Sequence, residues 1–168
     1  MAGNLVNWFV NLMNGAPKEL IIFLISMIPI LELRGGVLAA SALGVPMWRA
    51  VLFCVAGNIV PIPFILLLIT PIFSWLKQTR YLKPKIERLE AKSLAKSEQI
   101  QKYEFAGLLI FVGIPLPGTG AWTGSLIAAL LGIKTKKALP AIILGVFMAA
   151  AIMCVISYGI PALVRMIG

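Results

Sequence analysis

Glu32 and Arg34 are the residues in this chain whose types and setting could do chemistry. They are the only charges between Lys18/Glu19 and Arg49, and the stretch that holds them, Ile28-Pro29-Ile30-Leu31-Glu32-Leu33-Arg34-Gly35-Gly36, lies inside an apolar run. Two positions apart puts their side chains about 200° apart round a helix and on opposite faces of a strand, so they are poorly placed to pair with each other. Each needs another partner. A charge at membrane depth costs at least ~2.5 kcal/mol on insertion scales and marks a substrate, ion or proton pathway. Glu32 is the only carboxylate in the apolar blocks and so the candidate proton carrier, while Arg34 is a candidate partner for an anion. The alternative is a structural lock, in which Glu32 accepts from backbone N–H groups and Arg34 donates to free carbonyls of a second broken segment.

That second segment is Gly113-Ile114-Pro115-Leu116-Pro117-Gly118-Thr119-Gly120-Ala121-Trp122-Thr123-Gly124. It resembles a glycine-rich anion loop, but it has no Lys and precedes no soluble α/β pattern, which excludes a nucleotide loop. It can present backbone N–H groups and the Thr119 and Thr123 hydroxyls at a half-helix N-terminus, an arrangement that favours an anionic group. Trp122 either packs or offers a ring face to a lipophilic or cationic ligand. Asn58, ahead of Pro61 and Pro63, marks either an ordinary proline kink or carbonyls that line the site. The candidate substrate or proton site is therefore Glu32, Arg34, Gly35, Gly36, Asn58, Pro115, Pro117, Gly118, Thr119, Gly120, Trp122 and Thr123. No residue stands out as catalytic or as a metal ligand, and no cofactor is expected.

Pro and Gly remove donors and disfavour continuous helix, and unsatisfied backbone survives in hydrocarbon only where protein covers it or a polar cavity receives it. The rest of the chain says that hydrocarbon is the setting. Of 168 residues 60% are hydrophobic and 12% charged, and the mean hydropathy is +0.98, far too apolar for a soluble domain of this size. Segments 50–76, 105–133 and 138–164 carry no charge, and each exceeds the roughly 20 residues a spanning helix needs. The net charge of +9 does not indicate nucleic acid, because eight of the fifteen basic residues fall between Lys77 and Lys102, the bias of a cytoplasmic loop. With no His and no Asp, His-based triads, His metal sites and aspartyl-phosphate chemistry are excluded. Cys54 and Cys154 read as packing residues. The opening residues lack the basic start and small-residue cleavage site of a signal peptide, so the mature chain is expected to begin at Met1 or Ala2.

The elements that must position the site follow from these breaks. Residues 1–16 read as an interfacial helix, with Leu5, Trp8, Phe9 and Leu12 on one stripe. Residues 17–76 form a first repeat. There Lys18–Met27, rising about 15 Å, reaches roughly mid-bilayer, Pro29 and Gly35-Gly36 interrupt it, and Val37–Leu43 returns to a turn at Gly44-Val45-Pro46. A span from Met47 to Trp75, kinked near Pro61 and Pro63, completes it. Residues 77–104 form a basic cytoplasmic connector, either a surface helix or mobile, with a bend at Pro84. Residues 105–168 form the second repeat. Sliding the chain by 88 residues sets Pro29, Gly36, Gly44 and Gly57 on Pro117, Gly124, Gly132 and Gly145, as expected of one hairpin-then-span plan used twice. If 105–133 re-enters rather than crosses, Lys134, Lys136 and Lys137 join the connector on one face. The expected fold is thus a single all-α integral membrane domain, an inverted repeat of re-entrant helical hairpin plus kinked transmembrane helix, multi-pass in the cytoplasmic membrane.

The Pro-x-x-Glu-Leu-Arg-Gly-Gly pattern at 29–36, with Pro-Leu-Pro-Gly-Thr-Gly-Ala-Trp-Thr-Gly at 115–124 and a basic connector between, resembles the putative small multidrug export proteins of bacteria and archaea. More distantly that family is similar to DedA-like membrane proteins, which implies facing re-entrant hairpins, proton-dependent transport and handling of lipid carriers such as polyprenyl phosphate. The second hairpin here lacks the extra acidic and arginine residues usual in DedA-like members. Three functions stay open: a proton-coupled exporter of a small lipophilic or amphipathic compound, a translocase for an anionic lipid carrier, and a non-transporting membrane assembly factor. The expected partners are membrane lipid, the small-molecule or lipid substrate and a second copy of the chain, as a homodimer or higher oligomer, with no nucleic acid.

Overall fold

The computed structural model describes residues 15–95 and 97–167, and every regular element among them is helical. The interfacial helix expected over residues 1–14 lies outside them. Helix α1 (Lys18–Met27) is followed by a break and then α2 (Glu32–Ala42). Helices α3 (Met47–Ile59) and α4 (Pro61–Leu76) form one rod of 30 residues, since Val60 between them keeps helical angles. Pro61 and Pro63, where a kink was expected, stand just after this join. Both prolines fall in the first turn of α4, where a missing N–H leaves little unsatisfied.

The connector holds α5 (Lys83–Leu94), whose first turn contains Pro84, so this proline starts a helix rather than bending one. Helix α6 (Glu98–Gly113) is kinked at Tyr103 and Glu104, where the connector was expected to end. A second break leads to α7 (Ala121–Leu130) and α8 (Thr135–Cys154), which runs through a π-helical turn, Val155–Gly159, into α9 (Ile160–Ile167). Two helical stretches, Met47–Leu76 and the 29-residue Thr135–Leu163, are long and apolar enough to cross a bilayer.

Gly35, Gly36 and Gly124 do not interrupt the chain as their composition suggested; all three lie inside helices. Their role is close approach. A Cβ on Gly36 would lie 1.9 Å from Ser26 Oγ of α1 and 2.9 Å from Cys54 Sγ of α3, and one on Gly124 would lie 2.7 Å from Val112 of α6. Gly57 and Gly145 sit likewise against the backbone carbonyls of Phe23 and Leu109. In lipid, apolar burial between helices gains little because the tails are as apolar as Leu, so packing rests on contact that small residues permit. Hence Ala39, Ala40, Ala50, Ala128 and Ala138 share the core with Ile22, Ile25, Ile127 and Ile142. Both cysteines are free and buried in it.

Packing repeats at the same offset as the sequence. Helix α1 lies along α3 as α6 lies along α8. Val45 N–H donates to Ala40 carbonyl and Ile133 N–H to Ala128 carbonyl, each at 2.9 Å, with Gly44 at φ +70° and Gly132 at +68°. The same glycine cap thus closes α2 and α7. Lys18 Nζ donates to Leu43 carbonyl at 2.7 Å, joining the two ends of the first broken segment. Lys137 pairs with Glu104 at 3.2 Å, joining the two ends of the second. The far end of α8 meets the open end of the first segment, where Ser41 donates to Ser157 carbonyl (2.7 Å) and Tyr158 to Val45 carbonyl (2.9 Å).

Candidate functional site

The first break is tight. Ile28 carbonyl accepts from the N–H groups of both Leu31 and Glu32, which turns the chain within four residues and starts α2 at Glu32. Glu32 takes φ +47°, in the left-handed region that non-glycine residues rarely adopt. Such a conformation costs roughly 1–3 kcal/mol and persists only where surroundings enforce it. Its side chain, in a residue 5% exposed, is directed across to the second break.

The second break is longer and held by one hydroxyl. Thr119 Oγ1 lies 2.9 Å from the carbonyls of both Ile114 and Leu116, and Gly120, at φ +134°, delivers the chain into α7. The first N–H groups of α7 have no partner within their own helix. Trp122 N–H donates to Glu32 Oε1 at 3.1 Å. The anionic group that a glycine-rich turn at a half-helix N-terminus called for is thus Glu32 of the same chain, a carboxylate at the positive pole of α7. An external anion at this pole would have to displace it. A Cβ on Gly120 would lie 1.9 Å from Glu32 Oε2, so the glycine makes room for the carboxylate.

Arg34 completes the exchange. Its guanidinium donates to the carbonyls of Leu116 and Thr119 and, at 3.0 Å, to Thr119 Oγ1. The two charges bond to the second break and not to each other, the negative one to an N–H at the start of α7 and the positive one to carbonyls of the turn. Charge-assisted bonds of this kind are roughly twice as strong as neutral ones.

A cavity of about 260 Å³ lies at this contact, lined by Pro29, Ile30, Leu31, Glu32, Arg34, Gly118, Thr119 and Thr123. A second, of about 220 Å³, shares Gly118 and Thr123 with it and is lined on its other side by Leu89, Lys92 and Ser93 of α5. Five residues singled out from the sequence therefore line the cavity: Glu32, Arg34, Gly118, Thr119 and Thr123. Gly120 and the Trp122 backbone shape the carboxylate's seat. The Trp122 indole faces elsewhere, into an apolar groove of about 300 Å³ along α4. Gly35 and Gly36 pack in the core, and Pro115 and Pro117 shape the turn without lining the cavity. Asn58 is 2% exposed, its Oδ1 has no hydrogen-bond partner among the described residues, and it does not line the cavity. Leu116 and Lys92 were not singled out: one acts through its carbonyl, and the other stood among eight similar charges. An apolar groove of about 780 Å³ lies between α1 and α3, with Glu19 and Arg49 at one end.

A family model described as putative small multi-drug export protein matches residues 32–152, opening at Glu32 and taking in the second break, the connector and most of α8. No curated protein and no solved structure matches the chain. Covering most of the chain, the match agrees with the two apolar spanning helices and names a transport class rather than an enzyme class. The chain is an integral membrane protein and belongs to the family of putative small multi-drug export proteins.

Proposed function

We propose that this chain is a proton-coupled exporter of the cell membrane, in which two re-entrant hairpins face each other as an inverted repeat and a small lipophilic or amphipathic compound passes between their tips. The observation that carries the reading is the exchange at the tips: a buried carboxylate and an arginine from one hairpin hold the backbone of the other, beside a cavity that adjoins the connector helix. Support for facing hairpins comes from their ends. Lys18 with Leu43 and Glu104 with Lys137 bring each hairpin back to the face it left, and Tyr158 with Val45 puts the far end of the second span at the mouth of the first. The Lys92 side is then cytoplasmic and offers the entry, while the Ser41 and Tyr158 side is sealed.

Ionised Glu32 binds the positive pole of α7 and keeps the tips together. Protonation removes that charge and weakens the bond to Trp122 N–H, so the hairpins part for substrate. In proteoliposomes, Glu32→Gln should bind substrate yet lose the dependence of transport on the proton gradient. A stable Glu32→Gln protein whose transport keeps its normal pH dependence would defeat the proton-carrier role.

One observation favours a second reading, a non-transporting assembly factor: apart from the Thr119 hydroxyl, Glu32 and Arg34 bond to backbone, which is how a permanent lock would be built. In that case Glu32→Gln and Arg34→Gln would lower thermal stability alike, and neither the variants nor the wild type would move substrate.

A further inference from the structure

The π-helical turn Val155–Gly159 lies far from Glu32 along the chain and takes no part in the exchange at the tips. Such turns are rare and frequent at functional sites. Here Ile160 N–H reaches back to Val155 carbonyl, and Pro161 brings no N–H of its own, so the turn has fewer donors than carbonyls. Ser157 carbonyl takes its proton from Ser41 of α2 instead.

A cavity of about 320 Å³ opens at this junction, lined by Ser41, Gly44, Val45, Ser157, Tyr158 and Pro161 among others. Its polar groups are all oxygen. The Ser41 and Tyr158 hydroxyls spend their protons on the carbonyls of Ser157 and Val45, at 2.7 and 2.9 Å, leaving their own lone pairs. Ser157, 5% exposed, has a hydroxyl with no hydrogen-bond partner among the described residues. A buried hydroxyl left so is destabilising and calls for an explanation. The C-terminal pole of α2, the negative end of its dipole, points to the same place. Oxygens in excess of the donors that face them, at a negative helix pole, describe a seat for a cation. No carboxylate lines it, whereas Ca²⁺ and Mg²⁺ take carboxylate ligands. Lys18, whose ammonium already donates to the Leu43 carbonyl at this end of α2, makes an ion of more than one positive charge unfavourable.

We propose that the junction of α2 with the π-helical turn is a binding site for a hydrated alkali cation, Na⁺ or K⁺, held by the oxygens of Ser41, Val45, Ser157 and Tyr158. Because these groups come from both halves of the chain, the bound ion ties α2 to the second span and seals the face opposite the connector. The site stands whether or not Glu32 carries protons.

The test is thermal unfolding of the purified full chain in NaCl, KCl and N-methylglucamine chloride at equal ionic strength, which needs no transport assay. One alkali cation should raise Tm saturably, by roughly 3–6 °C at about ten times its dissociation constant. Ser157→Ala and Tyr158→Phe should abolish the rise. In N-methylglucamine chloride, Ser157→Ala should match the wild type or exceed it, because it removes an unpaired hydroxyl. Equal Tm in all three salts, or a rise that survives in both variants, would overturn the site.

Discussion

Gly120 and Trp122 separate what the backbone does at the site from what a side chain does. Gly120→Val sets a Cβ against Glu32 Oε2 at a φ that L residues rarely adopt, so it should expel the carboxylate and abolish transport. Gly132→Ala is the control, since that glycine shares a positive φ but has open space around its Cβ and lines neither cavity; it should cost about 1 kcal/mol and leave transport intact. Trp122→Phe keeps the N–H that Glu32 accepts and removes an indole N–H that has no partner, so transport should only weaken. Measuring Tm and transport across the three variants checks the argument, and wild-type transport in Gly120→Val would remove the turn from the site. The charges were legible in the sequence because nothing else near them is charged, and a lock of N–H groups and carbonyls was the one geometry that paired both. Which backbone atoms receive them was not legible, since a free N–H or carbonyl exists only once the break is folded. Asn58 misled because prolines beside it suggested opened backbone, whereas α3 and α4 stay helical through Val60.

Each hairpin should return to the face it left, and labelling decides this. Single cysteines near Lys92 and Lys136, in a background with Cys54 and Cys154 replaced, should react with an impermeant reagent from the same cytoplasmic side, because Glu104 and Lys137 meet at the base of the second segment. A cysteine at Gly44 should react from the other side. Labelling of the Lys92 and Lys136 positions from opposite faces would show that 105–133 crosses and would defeat the inverted repeat. The start and length of α1 followed from its uninterrupted apolar run. The start of α2 did not, because Gly35-Gly36 has the composition of a break, yet both lie within α2 and Gly36 is a contact surface for α1 and α3. Only the neighbour at 1.9 Å distinguishes the two uses of glycine. The π-helical turn was equally hidden: Gly159 and Pro161 weaken an α-helix, but the choice of a π turn depends on Ser41 and Val45, which meet it across 113 to 116 residues of chain.

The assembled chain leaves backbone at its breaks uncovered. Ile30 is 82% exposed and Leu116 55% exposed, at positions where the hairpin reading puts them within the membrane. Irregular backbone cannot face hydrocarbon there, so it must line a polar cavity or be covered by protein. The cavity beside Glu32 accounts for part of this surface but not for the outer side of the turn at Ile30. Along α4, Phe64, Leu67, Leu68 and Trp75 stand outward next to the groove that holds the Trp122 indole, which offers an apolar face continuous with the second break. A second copy of the chain set against this face would cover what lipid cannot. The expected state is therefore a homodimer or higher oligomer, with detergent-corrected mass by light scattering at least twice that of the 18.1 kDa chain. Ile30→Cys, with Cys54 and Cys154 replaced, should crosslink between copies under mild oxidation in native membranes. A mass equal to one chain, with transport retained and no crosslink, would mean that single chains shield their own breaks, and the polar cavity at Glu32 would then have to extend to Ile30.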